Sequence, residues 1–179
     1  DYGRMNLAAG TGVAIREYLT DVGPADYVLF AGGKPVGVVE ANRVADGGRI
    51  SAHDTQVVVY ARAKLRFIDN EPLPFVYLST GDITRFADAR DPKPRFREVF
   101  TFHRPETMLR WLRREKSLRR SLREDIPALP TDGLRDCQVD AITNLEQSFA
   151  AARPKALVQM ATGSGKTFTA ITTVYRLLK

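Results

Sequence analysis

Two carboxylates and one lysine-bearing loop are the residues in this chain whose types and spacing could do chemistry. The carboxylates are Asp26 and Glu40, in the stretch ADYVLFAGGKPVGVVEAN (25–42). Two apolar runs flank Gly32-Gly33, which predicts a β-hairpin. With Gly33 at the centre, Asp26 falls opposite Glu40, Val28 opposite Val38 and Phe30 opposite Val36. Directly opposed Cβ atoms sit roughly 4.5–5.5 Å apart. Two carboxylates that close repel each other and resist desolvation. A divalent cation between them relieves both penalties, and an all-oxygen donor set suits Mg²⁺ or Mn²⁺. The plainer alternative is a surface hairpin carrying two solvated acids.

The loop is Ala161-Thr162-Gly163-Ser164-Gly165-Lys166-Thr167, between the apolar run KALVQMA (155–161) and a helical pattern. Strand, glycine loop and helix in that order are what a nucleotide-phosphate site needs. Glycines let the backbone turn its N–H groups inward, and the helix adds its positive dipole end. Lys166 would meet the β- and γ-phosphates of ATP, and the Thr167 hydroxyl would hold Mg²⁺. Thr162, Gly163, Ser164 and Gly165 complete the set. Met160 stands where the generic pattern has a first glycine, so the match is to the variant used by helicases. A glycine-rich turn before a helix, without nucleotide, is the alternative.

The elements that must position these groups fall into three regions. Residues 1–104 alternate short apolar runs with turns: AIREYL (14–19), YVLF (27–30), VGVVEA (36–41) and FVYLST (75–80) read as strands. Residues 51–68 contain neither Gly nor Pro and read as a helix, with Ser51 or Asp54 as N-cap. Residues 105–125 read as one basic helix, with Met108, Leu109, Leu112, Leu118 and Leu122 at helical spacing. IPALPTDG (126–133) ends it, making 105–133 a basic helical connection. From residue 134, LRDCQVDAITNLEQSFAAA reads as a helix, KALVQMA as a buried strand, and the residues after the loop as a second helix.

Composition bounds the possibilities. The chain has 179 residues, 44% apolar and 27% charged, which excludes general disorder. Its net charge of +6 fits a polyanionic partner. No apolar run approaches the roughly 18–20 residues of a membrane helix. One cysteine, Cys137, allows no internal disulfide, so the expected compartment is a reducing cytoplasm. Cys137 itself is expected to pack within its helix. The chain lacks an initiator Met and ends inside a helical pattern, so it reads as a piece of a longer protein. Trp111 is expected to pack its helix onto the first region, and His53 and His103 to lie at the surface or behind a site.

LRDCQVDAITNLEQSFAAARPKALVQMATGSGKT (134–167) resembles the opening of a superfamily 2 helicase or translocase motor. The resemblance implies that Gln138 contacts adenine. The acidic motif that positions the attacking water has no counterpart here, so this chain by itself is not expected to hydrolyse ATP at a useful rate. Asp26 followed by Glu40-Ala41-Asn42 resembles the metal signature of PD-(D/E)xK nucleases, in which a lysine stands at the position of Asn42. Gln56 and Tyr60, four apart on one helical face, resemble the QxxxY pair of the RecB-like branch, which builds the DNA-binding edge of the site. The expected fold is therefore α/β: a PD-(D/E)xK core of mixed sheet flanked by helices, followed by the first strand and helices of a RecA-like phosphate-loop domain.

A PD-(D/E)xK module ahead of a superfamily 2 motor resembles the restriction subunit of type I restriction enzymes, and GVAIREY, LPFVYLSTGD and RFREVFTFHRPETMLRWL resemble further parts of it. That implies Mg²⁺-dependent cleavage of double-stranded DNA coupled to ATP-driven translocation, with methylation and specificity subunits as partners. Asn42 departs from the pattern, because it cannot supply the lysine's charge. A degenerate, non-cleaving DNA-binding module fused to the motor is the alternative.

Overall fold

The computed structural model describes residues 6–7, 9–41, 59–153 and 155–178. Its centre is a six-stranded mixed sheet in the order β1 (Gly12–Thr20), β2 (Gly23–Ala31), β3 (Lys34–Ala41), β4 (Phe75–Ser79), β5 (Thr84–Asp88) and β6 (Arg97–Val99). Neighbours are antiparallel except β3 and β4, which run parallel with Glu40 beside Leu78. A parallel pair needs a crossover connection, and residues 42–74 provide it. Four helices follow: α1 (Pro105–Leu112), α2 (Leu118–Glu124), α3 (Asp136–Ala150) and α4 (Lys166–Leu178).

The chain divides into two compact units: residues 1–90 with 94–115, and residues 91–93 with 116–179. The sheet and α1 form the first. Its two faces carry separate cores. Tyr18, Val28, Phe30, Val38, Leu73 and Val76 fill one face. Val36, Val39, Phe75, Tyr77, Phe86 and Met108 fill the other, which α1 covers with Leu109, Trp111 and Leu112. Trp111 meets Phe75 edge-on, with ring centroids 5.9 Å apart. Arg90 fastens the end of α1. Its guanidinium forks onto Asp88 at 3.0 and 2.7 Å and donates to the carbonyls of Trp111 and Arg114 at 3.1 and 3.3 Å. The α1 carbonyls thereby gain partners that a helix end otherwise lacks.

The β2–β3 hairpin turns through Gly32 and Gly33, whose φ values of 56° and 77° suit a two-residue turn. Ala31 pairs with Lys34 and Phe30 with Pro35, and then Val36 is passed over so that Leu29 pairs with Gly37 and Val28 with Val38. The expected Phe30–Val36 pair is therefore corrected. A bulge at Val36 moves that residue to the α1 face, while Phe30 and Val38 stay on the other.

Four further expectations are corrected. Residues 105–125 form two helices, because Ser117 caps α2 with its hydroxyl accepting the Arg120 N–H at 3.2 Å; Leu118 is consequently exposed. The helix expected over 51–68 ends at Arg62. Beyond it Leu65 bridges to Thr20, and the Asn70 amide accepts the Leu65 N–H at 2.9 Å; residues 51–58, with the proposed caps Ser51 and Asp54, lie outside the described residues. Residues 155–161 form no strand, and Leu157 is 92% exposed. A strand exists only where a neighbour completes its hydrogen bonds, and no strand among the described residues lies beside this segment. Cys137 is exposed rather than packed. No helix among the described residues is long and apolar enough to cross a membrane.

Candidate active site and nucleotide loop

Asp26 and Glu40 lie near the open end of the β2–β3 hairpin. The paired register ends at Tyr27 with Val39, and Asp26 and Glu40 are the next residues on the two strands. The Asp26 carboxylate accepts the Ala41 backbone N–H at 2.7 Å, which ties the two strands together at that point. The Tyr60 hydroxyl, from the helical turn 59–62, donates to the Glu40 carboxylate. Burial raises the Glu40 pKa above the usual carboxylate value. The neighbouring Asp26 charge raises it further, against a lowering by the Tyr60 bond. Burial also raises the Tyr60 pKa, and the charges of Glu40 and Asp26 add to it.

The structure thus brings Asp26, Glu40 and Tyr60 together. Asn42, Arg43, Gln56 and His53 lie outside the described residues. Lys34 sits at the turn, paired with Ala31 at the opposite end of the hairpin. Glu17 falls opposite Asp26 by register, but it pairs with Arg16 at 2.9 Å in solvent. Among the described residues no three His, Cys, Asp or Glu side chains gather as a ready-made metal cluster. The donor set still fits a divalent cation, because Glu40 is half-buried beside a second carboxylate and is costly to ionise there. Such an ion would take Asp26 and Glu40 as ligands and fill its remaining positions with water.

Behind the sheet, His103 is bonded rather than loose. Its Nδ1 lies 2.8 Å from the Tyr77 hydroxyl, and its ring packs against Phe86 and Trp111. Burial lowers its pKa, and the Arg97 charge lowers it further. His103 also lines an apolar groove of about 640 Å³ with Tyr27, Leu29, Val39, Phe102 and Met108. Those odd-numbered strand residues face away from Asp26 and Glu40.

In the second unit the loop 161–167 leads into α4. Gly163 and Gly165 adopt φ of 78° and 86°, a region that glycine enters without strain. Lys166 opens α4, and its Nζ donates to the Ala161 carbonyl at 3.0 Å. The Ser164 hydroxyl donates to the same oxygen at 2.7 Å. Thr162 and Thr167 are exposed. Gln138, on the first turn of α3, is only 4% exposed and lies against the loop, with Nε2 donating to the Gly165 carbonyl at 3.4 Å. Arg135, which the sequence reading passed over, donates from Nη1 to the Gly163 carbonyl at 3.0 Å. The signal available was its spacing of three from Gln138, the reach of one turn around a helix start.

Residues 4–73 match the family described as the second domain of the type I restriction enzyme EcoKI endonuclease subunit. Residues 131–179 match the family described as the type III restriction enzyme res subunit. The type I restriction enzyme EcoKI endonuclease subunit of Escherichia coli (strain K12) is 29% identical, over 95% of this chain and 18% of that protein. The chain therefore spans about a fifth of the length of that relative. A solved structure described as an HsdR-subunit fragment of a type I restriction enzyme from Vibrio vulnificus YJ016 covers 96% of this chain and 34% of its own, at 19% identity and a TM-score of 0.39. Two restriction-enzyme family models match at the two ends of the chain and one relative spans both, so the chain is similar throughout to a fragment of a type I restriction enzyme R subunit.

Proposed function

We propose that this chain carries the DNA-cleaving site and the nucleotide loop of a type I restriction subunit. In this reading the mixed sheet is a PD-(D/E)xK core, and residues from 134 onward belong to a RecA-like motor. Asp26 and Glu40 hold one Mg²⁺ or Mn²⁺, which supplies charge to the phosphodiester and acidity to a water when bound. Tyr60 fixes the Glu40 carboxylate, and Gln56, with which it shares a helical face in sequence, extends the DNA-facing edge. The loop 162–167 takes the phosphates of ATP, with Thr167 on Mg²⁺ and Gln138 on the base side. The substrate is double-stranded DNA, and the partners are methylation and specificity subunits.

The observation that carries this reading is the convergence of Asp26, Glu40 and Tyr60, with the Glu40 pKa raised in part by Asp26. Half-buried carboxylates perturbed by a like charge cluster at functional sites. The test is nicking of circular DNA by the complete complex with Mg²⁺ and ATP. Asp26→Ala and Glu40→Ala should each abolish it while leaving DNA binding in place. Undiminished cutting by both variants would remove the site from the reaction. A second reading, a nuclease fold that binds DNA without cutting it, is favoured by Asn42 at the position of the family's lysine. The same assay on the protein with Asn42 present decides between them.

A further inference from the structure

Three donors in the loop 161–167 converge on one oxygen. The Ala161 carbonyl accepts the Ser164 N–H at 3.3 Å, the Ser164 hydroxyl at 2.7 Å and the Lys166 ammonium at 3.0 Å. An acceptor that collects a backbone N–H, a hydroxyl and a cation is chemically what a phosphate oxygen is. The donors are thus already gathered about a point within the loop.

What gathers them reaches in from α3. Arg135 Nη1 holds the Gly163 carbonyl at 3.0 Å, while the Gly165 carbonyl accepts the Thr169 N–H at 3.0 Å and hydroxyl at 3.2 Å as α4 begins, with Gln138 Nε2 beside it at 3.4 Å. Gly163 and Gly165 are the loop's two positive-φ residues, on either side of Ser164. The two side chains are themselves coupled, since Gln138 Oε1 accepts the Arg135 backbone N–H at 2.9 Å. At Gly165 an added Cβ would meet Gln138 Nε2, so the amide lies directly against the loop. A trans peptide is planar, with its C=O and the following N–H pointing in opposite directions. Holding the Gly163 carbonyl toward Arg135 therefore turns the Ser164 N–H the other way, toward the Ala161 oxygen.

We propose that Arg135 is a positioning residue of the nucleotide site: by gripping the Gly163 carbonyl it sets the loop backbone so that its donors meet a phosphate, whatever base that phosphate carries. The proposal rests on the reading of 161–167 as a phosphate loop and goes beyond it by naming the brace.

A base-free ligand separates bracing from base recognition. The probe is inorganic tripolyphosphate with Mg²⁺, measured by calorimetry on the intact protein alongside MgATP. Arg135→Ala should weaken both ligands by a common factor of about three- to ten-fold, the size expected for one lost hydrogen bond. Arg135→Lys keeps one donor and should recover part of that loss, with thermal unfolding unchanged in both variants. Unchanged tripolyphosphate affinity in Arg135→Ala would overturn the proposal, and so would a loss confined to MgATP. If Arg135→Ala lowers the unfolding midpoint, rescue of tripolyphosphate binding by Arg135→Lys becomes the deciding result, and failure to rescue overturns it. Lys166→Ala is the control on the underlying reading. If that variant still binds tripolyphosphate normally, the loop is not a phosphate site at all, a failure distinct from that of the brace.

Discussion

On the proposed reading, Glu40 is the residue at which stability and function pull apart. Its folded-state pKa is raised, so its proton is held more tightly folded than unfolded. The stability it contributes is present at low pH and is lost as pH rises through its folded pKa. At neutral pH, without metal, an ionised Glu40 therefore weakens the fold. Glu40→Gln should raise the thermal midpoint of the metal-free protein near pH 7 while removing metal binding. A lower midpoint in that variant would show that the carboxylate is not the strained group. Mn²⁺ reverses the penalty by mass action and should stabilise the unaltered protein by about 2.7 kcal/mol at a hundred times its Kd. Calorimetry should find one Mn²⁺ site that Asp26→Ala and Glu40→Ala each abolish; persistence in both would end the metal reading. Asn42 gives the companion prediction. It lacks the charge that stabilises the developing phosphorane, a contribution typically worth about 10²–10³ in rate. Asn42→Lys should raise nicking of circular DNA by the complete complex by about that factor. Efficient cutting with Asn42 in place, and no gain from lysine, would mean that another residue supplies the charge.

At the scale of the element, the hairpin was legible because alternation and a Gly-Gly turn are local signals. Tyr27 through Leu29 pair as their spacing foretells. The bulge at Val36 was not legible, because it comes from packing: Val36 turns to the α1 face, and Gly37 runs so close to β4 that a Cβ would strike the Phe75 carbonyl. Phe75 lies in sequence far beyond the hairpin, so no local pattern announces that contact. The same distinction explains the helices. The Ser117 cap that divides 105–125 is written in the sequence, but a shared apolar spacing and basic charge mask it. The run 155–161 has a strand's composition and no strand beside it among the described residues, so composition alone misleads there. Gly37→Ala tests the packing account. Pushing β3 off β4 should cost about 1–3 kcal/mol in urea unfolding, and should weaken Mn²⁺ binding because Glu40 rides on the same strand. A variant as stable as the parent would show that the close approach is slack.

At the scale of the whole chain, the two candidate sites lie in separate compact units: the carboxylates in the first, the loop 161–167 in the second. Each unit has its own ties. In the second, Arg176 forks onto Glu146 at 2.6 and 3.1 Å and donates to the Pro127 carbonyl at 2.6 Å, which fastens α4 to α3 and to the segment before it. Lys166 belongs to none of these ties; its ammonium is exposed and, among the described residues, bonds within the loop to the Ala161 carbonyl. Lys166→Ala should therefore leave the fold and the Mn²⁺ site of the first unit unchanged. On the proposed reading it removes the charge for the β- and γ-phosphates, so ATP hydrolysis and translocation by the complete complex should be lost. If cutting waits on translocation, cleavage of circular DNA must fall with it, although every group at the carboxylate site remains in place. The three measurements separate the cases: Mn²⁺ calorimetry on the variant, ATP hydrolysis, and cleavage of circular DNA. Loss of Mn²⁺ binding would mean that the units are not independent. ATP hydrolysis near the parent rate would mean that Lys166 does not serve the nucleotide. Cleavage that persists without hydrolysis would show that the first unit cuts without the motor.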